Sequence, residues 1–241
     1  MSDRVVLILQ ARMGSERLPG KSMMDLCGQP LIYRIIERVK RCNMLDDIVL
    51  AIPDNPENEV LKKVADLASV NVYEGSENNV LNRYYEAAKK FNADIVCRIP
   101  ADNATPEPSE IDKIIKHHLK LKHPGFSSNL AQIFNSGYPD GIGCEVFSFS
   151  LLEEVENREN DQKKREHVHL NFFDYDSQKP VDQSWCPVST INCPEDFKRP
   201  ELVLDVNTEE QYKFIKSLYE DLYPTNPEFD IIDIIEWLDK K

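Results

Sequence analysis

The strongest constraint on the fold is an alternation of short apolar runs with stretches of helical periodicity in the first hundred residues. Val5 to Leu9 reads VVLIL, Ile48 to Ile52 reads IVLAI, and Asp94 to Ile99 reads DIVCRI. Short runs rich in β-branched residues predict central strands that are buried on both faces. Between them, apolar residues recur every three or four positions, which predicts helices. Strands and helices in this rhythm indicate βαβ units and a mostly parallel sheet, so the expected fold class is α/β.

The length and composition fit one large domain. The chain has 241 residues, of which 41% are hydrophobic and 29% charged, as in an ordinary globular protein. No repeat and no linker divides the sequence, which predicts a single domain over 1–241. Within it, about 125–200 is rich in turn formers and prolines, and we expect a small β excursion there. Glu145 to Phe149 alternates like an edge strand, and Leu202 to Val206 predicts a last short strand.

The charge balance and the cysteines limit the classes of partner and compartment. With 29 Lys and Arg against 42 Asp and Glu, the net charge is −13. This argues against binding a nucleic acid polymer, whereas a local basic pocket could still hold one nucleotide. No apolar run approaches the roughly 20 residues that span a bilayer, and no signal-like stretch stands at the N-terminus. The six cysteines lack C-x-x-C spacing, so we expect neither zinc nor a redox motif, but a cytoplasmic protein.

A basic loop with glycines follows the first predicted strand. Arg12, Arg17 and Lys21 fall within ten residues, and Gly14 and Gly20 are interleaved with them. The carboxyl ends of strands are where open α/β sheets bind ligands. Glycines let backbone amides approach a ligand, and Arg and Lys side chains suit a polyphosphate. A solvated basic loop is the alternative, but the position after the first strand favours phosphate binding. The loop is not of the Walker type, because no G-K-[ST] opens a helix.

This loop and the motifs after it resemble the sugar-nucleotide cytidylyltransferases. L-Q-A-R-M-G-S-E-R-L-P-G-K, followed by G-Q-P-L-I-Y-R-I-I-E-R-V, is similar to the SpsF-like branch, which is related to the CMP-KDO and CMP-sialate synthetases. Five further blocks resemble the family in the same order: Tyr73–Tyr85, Asp94–Asp102, Tyr138–Gly141, Arg165–Val168 and the strand ending at Val206. The resemblance therefore covers nearly the whole chain.

The resemblance implies a fold and an activity. The fold would be the three-layer α/β/α nucleotide-diphospho-sugar transferase fold. The activity would be transfer of CMP from CTP to a small acidic acceptor with release of pyrophosphate, using Mg²⁺, in surface polysaccharide or glycoconjugate synthesis. The acceptor stays open between a sugar acid, a phosphonate and a sugar phosphate. The family also implies a homodimer. The alternatives are a nucleotidyltransferase that uses another nucleoside triphosphate and a non-catalytic nucleotide-binding relative.

The resemblance also assigns the nucleotide-binding residues. They are Leu9, Gln10, Ala11, Arg12, Gly14, Ser15, Arg17, Lys21, Arg83 and Pro100. Leu9 to Ala11 would line cytosine and ribose, and Arg83 would lie beside the nucleoside. The triphosphate would be held by Arg12, Ser15, Arg17 and Lys21. The catalytic groups would be Lys21, Arg17 and Asp102.

The predicted metal site combines the end of one strand with the end of the last. Asp102 follows the DIVCRI strand and resembles the metal aspartate of the family. In place of the usual Val-Asp-Thr-Pro-Glu-Asp, the chain has V-N-T-E-E-Q, which puts Asn207 at the second aspartate. Asp205 would point to the same face as Asn207 if the strand pleat continues, so both could share the site. The alternatives are capping roles for Asp102 before one helix and for Asn207 or Thr208 before another.

The acceptor pocket is assigned chiefly by likeness. Pro139-Asp140-Gly141 is a turn signal by composition alone, and the resemblance adds Asp140 and Glu145 as pocket residues. Arg165 and His167 place a cation and a titratable imidazole at a predicted helix start, where they could bind an acidic acceptor. An ordinary surface role for His167 is weighed equally.

Overall fold

A seven-stranded sheet forms the centre of the molecule in the computed structural model, which describes residues 3–15, 17–121, 124–130 and 133–241. The described strands are β1 (Val5–Gln10), β2 (Asp25–Leu26), β3 (Gln29–Pro30), β4 (Asp47–Pro53), β5 (Asn71–Gly75), β6 (Ile95–Pro100), β7 (Phe126–Ser128), β8 (Glu145–Ser148), β9 (Phe173–Asp174), β10 (Lys179–Pro180) and β11 (Val188–Ser189). The order in the central sheet is β11-β7-β8-β6-β1-β4-β5. Only β8 runs antiparallel to its neighbours in this sheet, so the prediction of a mostly parallel sheet is confirmed.

Strand β1 shows why helices cover both faces of the sheet. Val5, Leu7 and Leu9 belong to one buried cluster, the first core. Val6 and Ile8, which alternate with them, belong to another, the second core. Since successive side chains of a strand point to opposite faces, an all-apolar strand needs a helical layer on each side.

The helices supply these two layers. They are α1 (Leu31–Val39), α2 (Glu59–Ala68), α3 (Val80–Lys90), α4 (Pro108–His118), α5 (Phe149–Arg158), α6 (Gln162–Glu166), α7 (Glu209–Leu222) and α8 (Ile231–Asp239). The first core contains residues of α1, α2, α4, α7 and α8, and the second contains residues of α3 and α5. The expected three-layer α/β/α arrangement is confirmed. Among the described helices, none has the length and apolar character that crossing a bilayer requires.

The strands from the second half of the chain occupy positions in the sheet that differ from those predicted from the sequence. β8 was expected at an edge, but it lies between β6 and β7. Its outer neighbour β7 comes from the turn-rich segment that the composition placed outside the sheet, and β11 adds a further strand beyond it. The small β excursion is represented by the hairpin of β9 and β10.

The segment predicted as a last strand is not one. Leu202 to Val206 makes two isolated bridges, Val203 with Asp140 and Asp205 with Asn103. Each bridge joins this segment to a loop rather than to a strand, which explains why no ladder forms. The segment instead lies across the loop that follows β6, and this position brings Asp205 towards Asp102.

Candidate functional site

A cavity of about 370 Å³ opens at the carboxyl ends of β1 and β6. Gln10 and Pro100 are the last residues of these strands, pair in register and line the cavity. Of the residues expected around the nucleotide, those that line it are Gln10, Ala11, Arg12, Ser15, Arg17, Lys21 and Pro100. Asp102 and His167 line it as well. The expected basic loop therefore forms one wall of the cavity.

The basic loop is shaped by its own backbone and by one neighbour. The amides of Ser15 and Gly20 both donate to the carbonyl of Met13, at 2.9 and 3.1 Å. Gly20 has φ 71°, a left-handed conformation that glycine adopts without steric cost. The amide of Met13 donates to Oδ1 of the buried Asn58 at 2.9 Å. Asn58 was missed in the sequence because it acts on the loop through a backbone group. Glu16, in the same loop, lies outside the described residues.

Lys21 connects the loop to the two other parts of the site. Its Nζ lies 3.3 Å from Oδ2 of Asp102, which follows β6. The same Nζ donates to the carbonyl of Val206 at 2.9 Å. The Lys21 side chain is only 14% exposed, and that of Asp102 is 24% exposed. One ammonium group thus holds together three segments that are far apart in the sequence.

Arg17 and Asn207 form a second connection beside it. Arg17 Nη2 donates to Asn207 Oδ1 at 2.7 Å, and Asn207 Nδ2 donates to Asp205 Oδ2 at 3.1 Å. The cap of α7 is Thr208, whose hydroxyl accepts from the amide of Gln211 in a capping box. The capping role therefore falls on Thr208, which leaves the amide of Asn207 to bridge a cation and a carboxylate. The expected proximity of Asp205 and Asn207 is observed.

Negative charge is concentrated where Asp205 lies near Asp140 and Asp102. Burial raises the pKa of Asp205 to about 8, together with the charges of those two aspartates, while Lys21 and Arg17 oppose the rise. The pKa of Asp140 is also raised, by burial and by Asp102. Oδ1 of Asp205 is buried without a hydrogen-bond partner. Helix α4 is capped by Glu107, so Asp102 is not used as its cap.

This carboxylate set suits a divalent cation that takes much of its coordination from phosphate and water. An unpartnered buried oxygen and a raised carboxyl pKa both indicate negative charge without full compensation. Within the described ranges, no three acidic, histidine or cysteine residues are already grouped as a complete metal site. Mg²⁺ commonly binds through only one or two carboxylates together with substrate phosphates. The residues present therefore fit such an ion.

Three of the nucleotide residues expected from the family do not line the cavity. Leu9 is fully buried in the first core. The Cα of Gly14 faces the carboxylates of Glu57 and Glu77. Arg83 is fully buried on α3, and its guanidinium donates to the carbonyls of Ser76 and Glu77. Burial lowers the pKa of Arg83 to about 10. For these three residues, contact with the nucleotide stays a prediction.

Arg165 and His167 are separated by the end of a helix. Both were expected at a helix start, but α6 begins after its N-cap Asp161 and ends at Glu166, so Arg165 lies in its last turn and His167 is its C-cap. The guanidinium of Arg165 donates to Glu156 Oε1 at 2.7 Å and to Asn79 Oδ1 at 3.1 Å. Arg165 therefore ties α6 to α5 and α3 and does not line the cavity, whereas His167 does. A role for either in binding the acceptor stays a prediction.

Glu145 lies behind the cavity and is paired with Arg98. Arg98 of β6 and Glu145 of β8 are direct partners across the sheet, and Arg98 Nη1 donates to Glu145 Oε2 at 2.5 Å. Glu145 is 1% exposed, whereas Arg98 lines the cavity. Arg98 was missed as a site residue. Its signal was a charged residue inside an otherwise apolar central strand, since arginine is rarely buried unless it is paired.

Comparison with known proteins places this geometry in context. A family model described as Cytidylyltransferase matches residues 6–231. An uncharacterised protein of Methanocaldococcus jannaschii is 30% identical over 98% of this chain and 91% of its own length. The spore coat polysaccharide biosynthesis protein SpsF of Bacillus subtilis is 29% identical over 91% of this chain and 88% of its own length.

Solved structures share the fold. A cytidylyltransferase from Leptospira borgpetersenii superposes with a TM-score of 0.87 at 25% identity, covering 99% of this chain and 94% of that one. CMP:2-keto-3-deoxy-manno-octonic acid synthetase, solved with CTP, gives 0.65 at 14% identity, covering 90% and 99%. A Mycobacterium tuberculosis protein solved with manganese gives 0.60 at 13% identity, covering 90% and 99%.

Proposed function

The chain belongs to the cytidylyltransferase family, a group of CTP-dependent nucleotidyltransferases, and on that premise we propose that it transfers CMP from CTP to a small acidic acceptor and releases pyrophosphate. The observation that carries this proposal is the position of Lys21. Its ammonium bridges Asp102 and the Val206 carbonyl at the edge of the cavity. A cation of the basic loop that lies beside a carboxylate is where a triphosphate and its metal would meet.

The basic loop would hold the triphosphate. Arg12, Arg17 and Lys21 line one cavity with the hydroxyl of Ser15. Arg12 Nη2 lies 3.8 Å from Glu166 Oε1, and Lys21 contacts Asp102. Phosphate oxygens would replace these partly exposed contacts, because charge-assisted hydrogen bonds to phosphate are stronger than exposed ion pairs. The guanidinium of Arg17 is already oriented by Asn207.

The divalent ion, which we take to be Mg²⁺, would be held by Asp102 and Asp205, with Asn207 beside them and Asp140 behind. The unpartnered Oδ1 of Asp205 supports this assignment. When bound, the ion would withdraw charge from the phosphate oxygens and from the attacking oxygen. Fold relatives solved with manganese and with CTP are consistent with a divalent ion and this nucleotide.

The chain's own residues would contribute position and charge. An acceptor oxygen forms a bond to the α-phosphorus as the bond from that phosphorus to the pyrophosphate oxygen breaks. Lys21 and Arg17 would stabilise the negative charge that the leaving pyrophosphate carries. Catalysis of this kind depends on orientation and electrostatic stabilisation rather than on covalent chemistry by the protein.

The acceptor is proposed by class only. A sugar acid, a phosphonate or a sugar phosphate each offers a nucleophilic oxygen and a negative charge. The name of one fold relative includes 2-keto-3-deoxy-manno-octonic acid, and SpsF is named for spore coat polysaccharide. We extend the proposal to a role in surface polysaccharide synthesis, which the name of SpsF supports. A homodimer and a cytoplasmic location are proposed from the family resemblance of the sequence alone.

Pyrophosphate release tests the proposal. Purified protein is assayed with CTP, UTP, GTP and ATP, with and without Mg²⁺, against acceptors of the three classes. We expect turnover with CTP only when the metal is present. Asp102→Ala should lower kcat about 100-fold or more, because a metal-binding carboxylate is lost. Asp176→Ala, which removes an exposed carboxylate from the β9–β10 hairpin, is the matched control.

Two results would contradict the proposal. Unchanged turnover in Asp102→Ala would remove the metal assignment. Thermal stabilisation by CTP and Mg²⁺ without turnover of any acceptor would point instead to a nucleotide-binding protein without this activity.

A further inference from the structure

One cation of the cavity does not belong to the basic loop. Four arginine and lysine side chains line the cavity, and three of them are Arg12, Arg17 and Lys21 of the loop. The fourth, Arg98, is on β6, two residues before Pro100. The proposed function assigns the loop cations to the triphosphate and assigns no role to Arg98.

Arg98 is held in one position. Its backbone pairs with Ile8 of β1 on one side and with Glu145 of β8 on the other. Its guanidinium contacts Glu145 at 2.5 Å and lies 5.8 Å from the ring centre of Tyr84. The side chain is 11% exposed. A guanidinium fixed by the sheet and by a buried carboxylate loses little conformational freedom when it binds a ligand.

The hydrogen-bonding capacity of this pair is not exhausted. A guanidinium has five N–H donors, and the recorded ion pair of Arg98 uses Nη1. Nε of Arg98, a donor that an anionic ligand could satisfy, is buried without a hydrogen-bond partner. Buried polar atoms without partners are uncommon and call for an explanation, such as a ligand that completes the arrangement.

Arg98 and Lys21 lie on opposite sides of the sheet. Arg98 alternates along β6 with Cys97 and Ile99 of the first core, so it points to the side of the second core. Lys21 bonds to Val206, which belongs to the first core. Displacement at phosphorus requires the attacking and leaving oxygens to be roughly in line. If pyrophosphate leaves towards Lys21, the acceptor must approach from the side of Arg98.

We propose that Arg98 binds the acidic group of the acceptor, a carboxylate or a phosphoryl-type oxyanion, and that Glu145 positions it. This inference rests on the proposed function, since it assigns the acceptor side of the same cavity. It explains why a buried ion pair borders a substrate cavity. It also makes the enzyme selective for acidic acceptors, because a neutral one would leave Arg98 without its second partner.

The experiment uses methylphosphonate as the oxyanion probe and a non-hydrolysable CTP analogue with Mg²⁺. Binding of the probe is followed by phosphorus NMR, and the Nε–H signals of labelled arginine report where it binds. Arg98→Lys keeps the positive charge but removes the planar guanidinium with its several N–H donors. Arg98→Met with Glu145→Met replaces the pair by apolar side chains of similar volume, which buried pairs often tolerate. Arg38→Lys, at an arginine that is 3% exposed on the other side of the sheet, is the matched control.

We expect the analogue-bound protein to bind the probe, with a shift of the Nε–H signal that is absent in Arg98→Lys. The Kd of the probe should rise about tenfold or more in both Arg98 variants. It should change less than about twofold in Arg38→Lys, and the Kd of the analogue should stay within about twofold throughout.

Unchanged probe affinity in the Arg98 variants would overturn the inference. So would loss of analogue binding in Arg98→Lys with Arg38→Lys normal, because Arg98 would then serve the nucleotide. If the wild type bound no CTP analogue, the proposed function would fail. A titration of the wild type with methylphosphonate alone would then test Arg98 separately. A shift of the Arg98 Nε–H signal would support the inference, and no shift would contradict it.

Discussion

At the scale of single residues, burial sets how His118 responds to acid. Its Nδ1 lies 2.8 Å from Ser127 Oγ, and burial, together with His117, lowers its pKa to about 4. Since an unfolded histidine titrates near 6.5, its contribution to stability is complete above about pH 6.5 and is lost as the pH falls towards 4. We expect His118→Gln to flatten the fall in unfolding free energy between pH 7 and 4.5 by about 1 to 3 kcal/mol. Urea unfolding at several pH values measures this, with His167→Gln as an exposed control; an equal slope in wild type and His118→Gln would contradict it.

At the scale of an element, the start of α7 links helix stability to the site. Thr208 caps the helix, and the Gln211 side chain accepts from the amide of Asn207 at 2.8 Å. We expect Thr208→Ala to lower the unfolding free energy by about 1 kcal/mol and to raise the KM for CTP several-fold, because Asn207 orients Arg17. Ser148→Ala removes the cap of α5 at a similar cost in stability and serves as control. If Thr208→Ala and Ser148→Ala had equal KM values for CTP, the cap of α7 would have no effect on the site, and the prediction would be wrong.

At the scale of the whole molecule, the segment 125–200 is expected to unfold together with the rest. It supplies β7, β8 and β11 to the central sheet and Phe126, Phe147 and Phe172 to the second core. The two tryptophans report on different parts, Trp185 beside the second core and Trp237 on α8 in the first. Trp185→Phe and Trp237→Phe each leave one tryptophan. In each variant, we expect the urea unfolding profile from tryptophan fluorescence to coincide with the profile from circular dichroism. A fluorescence midpoint that differs from the circular dichroism midpoint in either variant would indicate two independently folding units.

The sequence by itself determined the parallel strands, most helices and the basic loop. These features depend on neighbouring residues, such as the β-branched run of β1 and the glycines around Arg17, so a local pattern suffices to predict them. The resemblance to a family extended this to Asp102, whose position at a strand end follows from the same local pattern.

Only the tertiary structure decided which of these side chains meet. Lys21 and Asp102 are 81 residues apart, and Arg17 and Asn207 are 190 apart, so their contacts depend on how the sheet and the segment before α7 pack. The pairing of Arg98 with Glu145 depends on β8 lying inside the sheet, which a local alternation cannot distinguish from an edge. The sequence identifies the charged groups, but which of them come into contact depends on the packing of distant segments. That packing is the sum of many weak contacts and cannot be read from a local pattern.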